Sequence, residues 1–519
     1  MNLIDFFDNG AAIYPKKSCL IQGKQSWSFA EIETLTHQVA LSLQVSGVKP
    51  GDRVAVYSPN HAMAFVAMFG IYRVGAVWVP INARNVFEEN IHILRNSGVS
   101  FLFTHSKFTD ILELFNQQLP DLKPAVIIDN NEGQNGLHNW LDKNSKINQI
   151  FPPRPDSPNA MVALPSTGGT TGKPKSIICT NRTMETLVAS YMACMPVYEP
   201  PIHLVVAPMT HAAGATMFPL LPLGATTVIM EEMDVEGIMQ MIESHKVTHL
   251  FLPPTVIYVM LAHPNVRNYD YSSLKYFLYA AAPMSSDKLK EAIDVFGPVM
   301  AQTFGQSEAP MICTYLSPKD HIDAITSGNE HRLKSCGRIA PFTRLEIMDE
   351  VGNLLSRGSH GEIVVRGGLV MSGYYNNPEE TKTVSAFDWH HTGDIGYIDD
   401  EGFVYIVDRK KDMIITGGFN VFPVEVEQVI WSHPAVQDCA VIGVPDDKWG
   451  EAIKAVIEPV PGQTIDPNEI INLCKTKLGS VKAPKTVDIC EALPRSPVGK
   501  VLKKEIRKPF WSDKSRIIQ

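Results

Sequence analysis

The sequence predicts a large multi-layer α/β N-terminal domain followed by a small mobile α+β C-terminal domain, and three observations carry that prediction. Strand-like and helix-like segments alternate up to about residue 400, the rhythm of α/β layering. The chain of 519 residues is longer than one hydrophobic core usually serves. The charged run Val407-Asp408-Arg409-Lys410-Lys411-Asp412 separates two self-contained patterns, so it reads as a hinge rather than a solvated turn. The expected division is 1–408 and 409–519, with Lys411 at the hinge.

The elements follow in order. Arg53 to Tyr57 reads as a buried strand, Ala62 to Tyr72 as a helix, Ala76 to Pro80 as a strand, Glu88 to Asn96 as a helix and Val99 to Thr104 as a strand. Leu204 to Met230 is apolar, but Pro208, His211, Pro219 and Pro222 interrupt it, which indicates strand, loop and strand rather than a membrane span. Gly402 to Ile406 is the last strand of the large domain. Beyond the charged run, Met413 to Ile415, the helix Pro423 to Ser432, the strand Asp438 to Val444 and the helix Asp466 to Leu478 make the small unit.

Composition excludes several classes. Apolar residues are 45% and charged residues 19%, the ordinary balance of a globular protein. The net charge of -9 is spread along the chain, so nothing draws it to nucleic acid or anionic lipid. The first ten residues contain Asp5 and Asp8 and no basic or apolar signal region, and Ile518-Gln519 matches no peroxisomal or lipidation signal. Eight cysteines without a C-x-x-C pair point to reduced thiols in a cytoplasmic protein.

The chemistry begins at Pro165-Ser166-Thr167-Gly168-Gly169-Thr170-Thr171-Gly172-Lys173-Pro174-Lys175, after a short strand at Ala160 to Leu164. Glycines let the backbone turn its N–H groups inward, and hydroxyls and two lysines add donors, a composition suited to a phosphate chain. It is not a Walker loop: Gly168 and Gly172 are too close, and Pro174 stands where a Mg-binding hydroxyl belongs. Ser176 to Cys179 reads as a strand, so no helix N-terminus is on offer.

This segment resembles the phosphate-binding motif of the acyl-adenylate-forming superfamily, which includes acyl-CoA synthetases, and further segments match in order. Phe304-Gly305-Gln306-Ser307-Glu308 is similar to Tyr-Gly-x-Thr-Glu, departing at Phe304 and Ser307. The resemblance implies adenine stacking on Phe304, a phosphoryl contact from Ser307 and Mg²⁺ at Glu308. Ala280-Ala281-Ala282-Pro283 replaces Gly-Gly-Ala-Pro, so Ala281 and Ala282 would pack on the other adenine face, and Gln302 would meet its edge. Asp394, in His391-Thr392-Gly393-Asp394, matches the carboxylate that accepts the ribose hydroxyls, and Arg409 the arginine that joins it. Lys500 matches the catalytic lysine, and Lys503 and Lys504 are expected to be solvated. Thr171 is carried over with the phosphate loop as a catalytic hydroxyl. His211, in Pro208-Met209-Thr210-His211-Ala212-Ala213-Gly214, becomes a gate over the acid carboxylate rather than a general base. Gly417 and Gly418 would line the thiol channel after domain rotation.

The resemblance therefore implies an ATP-dependent acyl-CoA synthetase using ATP, Mg²⁺ and coenzyme A. The end of the chain at 519, without a fused carrier domain, favours CoA as acceptor. A stand-alone ligase loading a carrier protein is the second reading, a luciferase-like oxygenase the third and an inactive nucleotide-binding regulator the fourth. Ala280 to Ala282 with Ala212, Ala213 and Gly214 are expected to leave space at the acid carboxylate. The absence of Arg or Lys in these segments favours an apolar acid, aliphatic of medium to long chain or aromatic. The sequence leaves the oligomeric state open, a homodimer included.

Overall fold

The computed structural model describes residues 1–123, 125–130, 135–146, 149–167, 174–496 and 499–511. Two mainly parallel sheets form the large domain. The first runs in the order Val126–Ile127, Phe101–Thr104, Arg53–Ser58, Val77–Asn82, Met161–Ala163 and Cys179–Thr180, with only the last strand antiparallel. The second has nine strands. Its centre is the parallel series Met300–Gln306, Tyr276–Tyr279, His249–Leu252, Ile202–Val205, Thr226–Ile229 and Ser18–Gln22, and antiparallel strands close both edges.

The main core lies between these sheets. Helix Ala62–Val74 is buried at every position, the pattern of an element surrounded by protein. Its one charge, Arg73, is held by a bidentate pair with Asp8, at 3.1 and 2.5 Å. The strands and helices expected between Arg53 and Thr104 all form, with ends shifted by one or two residues. Leu204 to Met230 is indeed strand, loop and strand, with the short helix Ala212–Ala215 between. No helix among the described residues is long and apolar enough to cross a membrane.

A four-stranded antiparallel sheet follows, ordered Arg344–Met348, Gly361–Arg366, His390–Ile398 and Val404–Arg409. The bridge Arg338–Phe403 ties it to the nine-stranded sheet. Its last strand runs through Asp408 and Arg409, so the charged run begins inside a strand.

The C-terminal unit builds its own sheet. Val436–Asp446 and Gly450–Pro459 form a long antiparallel pair, joined by Ile414–Thr416, Phe419–Val421 and Thr486–Ile489. Helices Pro423–Trp431 and Pro467–Lys482 cover it over a separate core that includes Ile414, Val426, Ile430, Val441, Ile453 and Ile470.

Candidate active site

Parallel strands present their carboxyl ends to one crevice, and ligands of open α/β sheets bind there. The crevice here is a cleft of about 1850 Å³. Ser166, Thr167, His211, Ala281, Ala282, Gln302, Phe304, Gly305, Ser307, Asp394, Arg409, Lys411 and Lys500 all line it. Gly168, Gly169, Thr170, Thr171 and Lys173 lie outside the described residues, but the ends of their loop are fixed. Thr167 N–H donates to the Lys175 carbonyl at 2.9 Å, and Ser166 bridges Ser176. Ser166 Oγ is buried without a partner.

One expectation here is corrected. Lys175 is not a free phosphate donor, because its ammonium pairs with Glu380 and lies 5.1 Å from the Tyr374 ring centroid.

Strand Met300–Gln306 carries Gln302, Phe304 and Gly305, the residues expected on the adenine side, to the cleft wall. Gln302 stands in register with Tyr279, whose hydroxyl lies 3.1 Å from the Gln302 amide and 2.9 Å from His321 Nε2. After Phe304 the chain folds back tightly. A Cβ on Gly305 would come within 2.6 Å of the Met311 nitrogen, so only glycine fits. Met311 itself takes φ +64°, and Ala281 takes φ +75°. Ala281 thus holds a left-handed conformation at a position where the resemblance has glycine, backbone strain of a kind that concentrates at functional sites.

Glu308 sits just behind the cleft wall. Its Oε1 accepts the Tyr374 hydroxyl at 2.8 Å. The segment around Tyr374 also binds the exit of the phosphate loop, through Tyr375 N–H to Ser176 O and Ile178 N–H to Gly373 O. One short segment therefore contacts both the carboxylate and the residues that follow Lys175. Sequence reasoning missed Tyr374, because it lies far from any motif.

Asp394 and Arg409 face each other across strands His390–Ile398 and Val404–Arg409. Arg409 Nε is 2.9 Å from Asp394 Oδ1, while Oδ2 is buried with no partner. Burial pushes the Asp394 carboxyl above its usual range, against the pull of Arg409, Lys500 and Lys411. Asp394 in turn holds the Arg409 guanidinium up.

Lys500 reaches this cleft from the small domain. A turn closed by Ser496 N–H to Lys500 O at 2.8 Å presents it, and Gly499 takes φ +85° there. Enclosure in the cleft and the nearby Arg409 charge push its ammonium down to about 8, although Asp394 and Glu308 oppose the shift. His211 is exposed at the cleft, yet the enclosing walls and then Lys500 lower its pKa to about 4. His211 Nδ1 lies 2.9 Å from Thr210 Oγ1.

Three further placements matter. Gly417 and Gly418, at φ +57° and +81°, form the exposed tip between Ile414–Thr416 and Phe419–Val421 and do not line the cleft. Gly214 does not open space beside His211: a Cβ there would lie 1.8 Å from the Met209 carbonyl oxygen, and Ala213 is buried. Lys503 is not solvated. It forms a 2.7 Å ion pair with buried Glu427 near Asp408 and Asp412, and Arg507 pairs with Asp412 at 2.7 Å. Lys504 is exposed, as expected.

Residues 7–375 match the AMP-binding enzyme family and residues 425–500 the AMP-binding enzyme C-terminal domain. The chain belongs to the AMP-binding enzymes, the acyl-adenylate-forming superfamily. Among its relatives, the medium/long-chain-fatty-acid–CoA ligase FadD8 of Mycobacterium tuberculosis is 41% identical over 70% of this chain and 63% of that enzyme. A feruloyl-CoA synthase from an Amycolatopsis species is 32% identical over 96% of this chain and 97% of its own. ATP-bound MatB from Rhodopseudomonas palustris superposes with a TM-score of 0.87 at 25% identity, covering 98% of this chain and 99% of that one.

AMP-binding enzymes bind a nucleotide, and the orphaned Asp394 Oδ2 and Ser166 Oγ fit one, as acceptor and donor that protein leaves unpaired. Among the described residues no group of three or more His, Cys, Asp or Glu is arranged to hold a metal ion by itself.

Proposed function

We propose that the cleft joins a carboxylic acid to coenzyme A in two half-reactions. In the first, the acid's carboxylate oxygen attacks the α-phosphorus of ATP, the α–β phosphoanhydride bond breaks, and pyrophosphate leaves. In the second, the deprotonated CoA sulfur attacks the acyl carbonyl carbon, the bond from carbon to the AMP oxygen breaks, and AMP departs. The chain is an ATP-dependent, AMP-forming acid–CoA ligase.

The observation that carries this reading is Lys500, a cation from the small domain held in the cleft of the large one within the fields of Asp394 and Glu308. A cation aimed where negative charge builds stabilises the transition state more than the ground state. Asp394 and Arg409 hold the ribose. Phe304 stacks on adenine, opposite the Ala281-Ala282 backbone, and the Gln302 amide meets the ring edge. Ser166, Thr167, Gly168, Gly169, Thr170, Thr171 and Lys173 wrap the phosphates, with Ser307 as a further donor. Glu308 would hold Mg²⁺, which would supply neutralisation of the phosphate charge. His211 is neutral at physiological pH, so it serves as wall and gate to the acid rather than as a proton source.

For the second half-reaction, rotation about Lys411 withdraws Lys500 and brings the Gly417-Gly418 tip to the adenylate, where the absence of side chains leaves room for the thiol arm. The acid is apolar over most of its length, aliphatic of medium to long chain or aromatic. A fatty-acid ligase and a feruloyl-CoA synthase among the relatives support both ends of that range. Eight free cysteines suit a reducing, cytoplasmic setting.

The test is pyrophosphate release over a panel of acids, followed by thioester formation with CoA or with a holo carrier protein. Steady AMP formation with CoA and none with the carrier is expected. The opposite pattern would make the chain a carrier-loading ligase.

A further inference from the structure

A glutamine amide has an acceptor at one end and a donor at the other, and the end that faces a nucleotide decides which base edge it can read. Gln302 is half-buried and lines the cleft. Behind it runs a chain of buried polar groups that ends on the backbone of a helix.

That helix, Pro318–Thr326, opens with a capping box between Ser317 and Asp320 and a proline in its first turn. Its buried side carries His321 and Ala324. Tyr279 ends the strand Tyr276–Tyr279 and packs in an apolar cluster with Phe277, Met300, Ala324 and Leu333. Tyr279 and Gln302 are register partners on adjacent parallel strands, so their side chains stand on one face of the sheet.

The hydrogens along this chain can be assigned from its far end. His321 Nδ1 lies 2.7 Å from the Ser317 carbonyl oxygen, which can only accept, so Nδ1 carries a hydrogen. Burial lowers the His321 pKa to about 4, so the ring is neutral at physiological pH and Nε2 is left as an acceptor. The Tyr279 hydroxyl is 2.9 Å from Nε2. Burial pushes that phenol well above its usual range, so it keeps its one proton and donates it to Nε2. The tyrosine oxygen then offers only lone pairs to the Gln302 amide, 3.1 Å away. An amide has nearly the same shape either way round, and its neighbours fix its sense. Here they turn the NH₂ to Tyr279 and leave Oε1 for the cleft.

Resting on the adenylation reading above, in which this amide meets the edge of the base, we infer that Tyr279 and His321 are positioning residues for nucleotide choice. They aim Gln302 Oε1 at the base and so select one with an exocyclic amino group over one with a carbonyl at the same place. The adenine 6-amino group donates to that oxygen. The 6-carbonyl of hypoxanthine or guanine would set two acceptors against each other, with neither paired.

ATP and ITP, which differ at this edge, test the inference. Affinity is measured by titration, and kcat/KM by pyrophosphate release with the best acid of the panel. The wild-type chain should favour ATP by about tenfold or more in both. Tyr279→Phe removes one oxygen and frees the amide to turn, so most of that preference should disappear, with kcat at saturating ATP little changed. His321→Leu releases the tyrosine proton to Gln302 Oε1, which turns the NH₂ to the cleft, and the preference should fall further or invert towards ITP. Tyr279→Phe alone decides the matter should His321→Leu fold poorly. Equal use of ATP and ITP by the wild type, or a loss of the same size for both nucleotides in Tyr279→Phe, would overturn the inference while leaving adenylation intact. Binding of neither nucleotide, with no pyrophosphate released from any acid, would overturn the adenylation reading and the inference with it.

Discussion

Asp394 and Arg409 are direct partners across an antiparallel strand pair, and the 2.9 Å contact between them uses only one of the two carboxylate oxygens. The other oxygen is buried and unpaired. The pair therefore fixes the carboxylate's orientation while leaving one acceptor open, the one proposed to take the ribose hydroxyls. Replacing Asp394 with Ala should weaken ATP binding by about 1.5–3 kcal/mol, the worth of a hydrogen bond to a charged group. Titration with ATP measures this, and an unchanged affinity would remove Asp394 from the nucleotide site.

Tyr374 anchors Glu308 through a single hydroxyl. Tyr374→Phe keeps the ring beside Lys175 and deletes that bond alone. If Glu308 holds Mg²⁺ as proposed, loss of this outer partner should cost about 10–100-fold in metal affinity. The expected result is a matching rise in the Mg²⁺ concentration needed for half-maximal pyrophosphate release, with the melting temperature little changed. A Mg²⁺ requirement equal to wild type would detach Glu308 from the metal.

Lys503 is the counter-charge of a buried acidic group. Burial raises Glu427 to about 7, and Lys503, within 2.7 Å, opposes that shift. Lys503→Met would strip buried Glu427 of its ion-pair partner and leave Arg507 and Lys411 acting on Asp412. Breaking a buried pair from one side costs about 3–5 kcal/mol. Urea unfolding should report that loss, and replacing Glu427 with Gln in the same chain should restore part of it. A loss under about 1 kcal/mol would mean the pair is solvated in practice, as surface pairs are.

These residues also mark where the sequence was legible. Ser166, Thr167, Phe304, Gly305, Ser307, Asp394, Arg409 and Lys500 could be gathered in advance because each lies in a short motif, and the fold brings them to one cleft. The strand and helix order could be read from periodicity, and the C-terminal elements named in advance all form. Tyr374 and Lys503 could not, since their roles depend on carboxylates brought to them from elsewhere in the chain by the fold. Gly214 was misread because a glycine signals open space and close backbone approach equally well, and here the Met209 carbonyl fills the position. The chain from Gln302 through Tyr279 to His321 is visible only once the strand register is known.

Lys500 and the Gly417-Gly418 tip occupy different places in one arrangement, the first inside the cleft and the second exposed at a hairpin outside it. A chain that runs two chemistries in turn should show separable defects when each is altered. Lys500→Ala should lose about 10²–10³ in the rate of pyrophosphate release, the usual scale for one electrostatic contact made in the transition state. Supplied with preformed acyl-AMP and CoA, it should still make thioester. Gly418→Leu should do the reverse, keeping pyrophosphate release and losing thioester formation, because a side chain would enter the thiol channel. The pH profile adds a check on the same residue. Lys500 is charged below about 8 and neutral above it in the free enzyme, so kcat/KM for adenylation should fall as pH rises through about 8. In Lys500→Arg the guanidinium stays charged, and that alkaline fall should disappear whatever the absolute rate. Equal slowing of both half-reactions by each substitution would show that the two faces of the small domain are not used in turn, and an alkaline limb that persists in Lys500→Arg would assign it to another group.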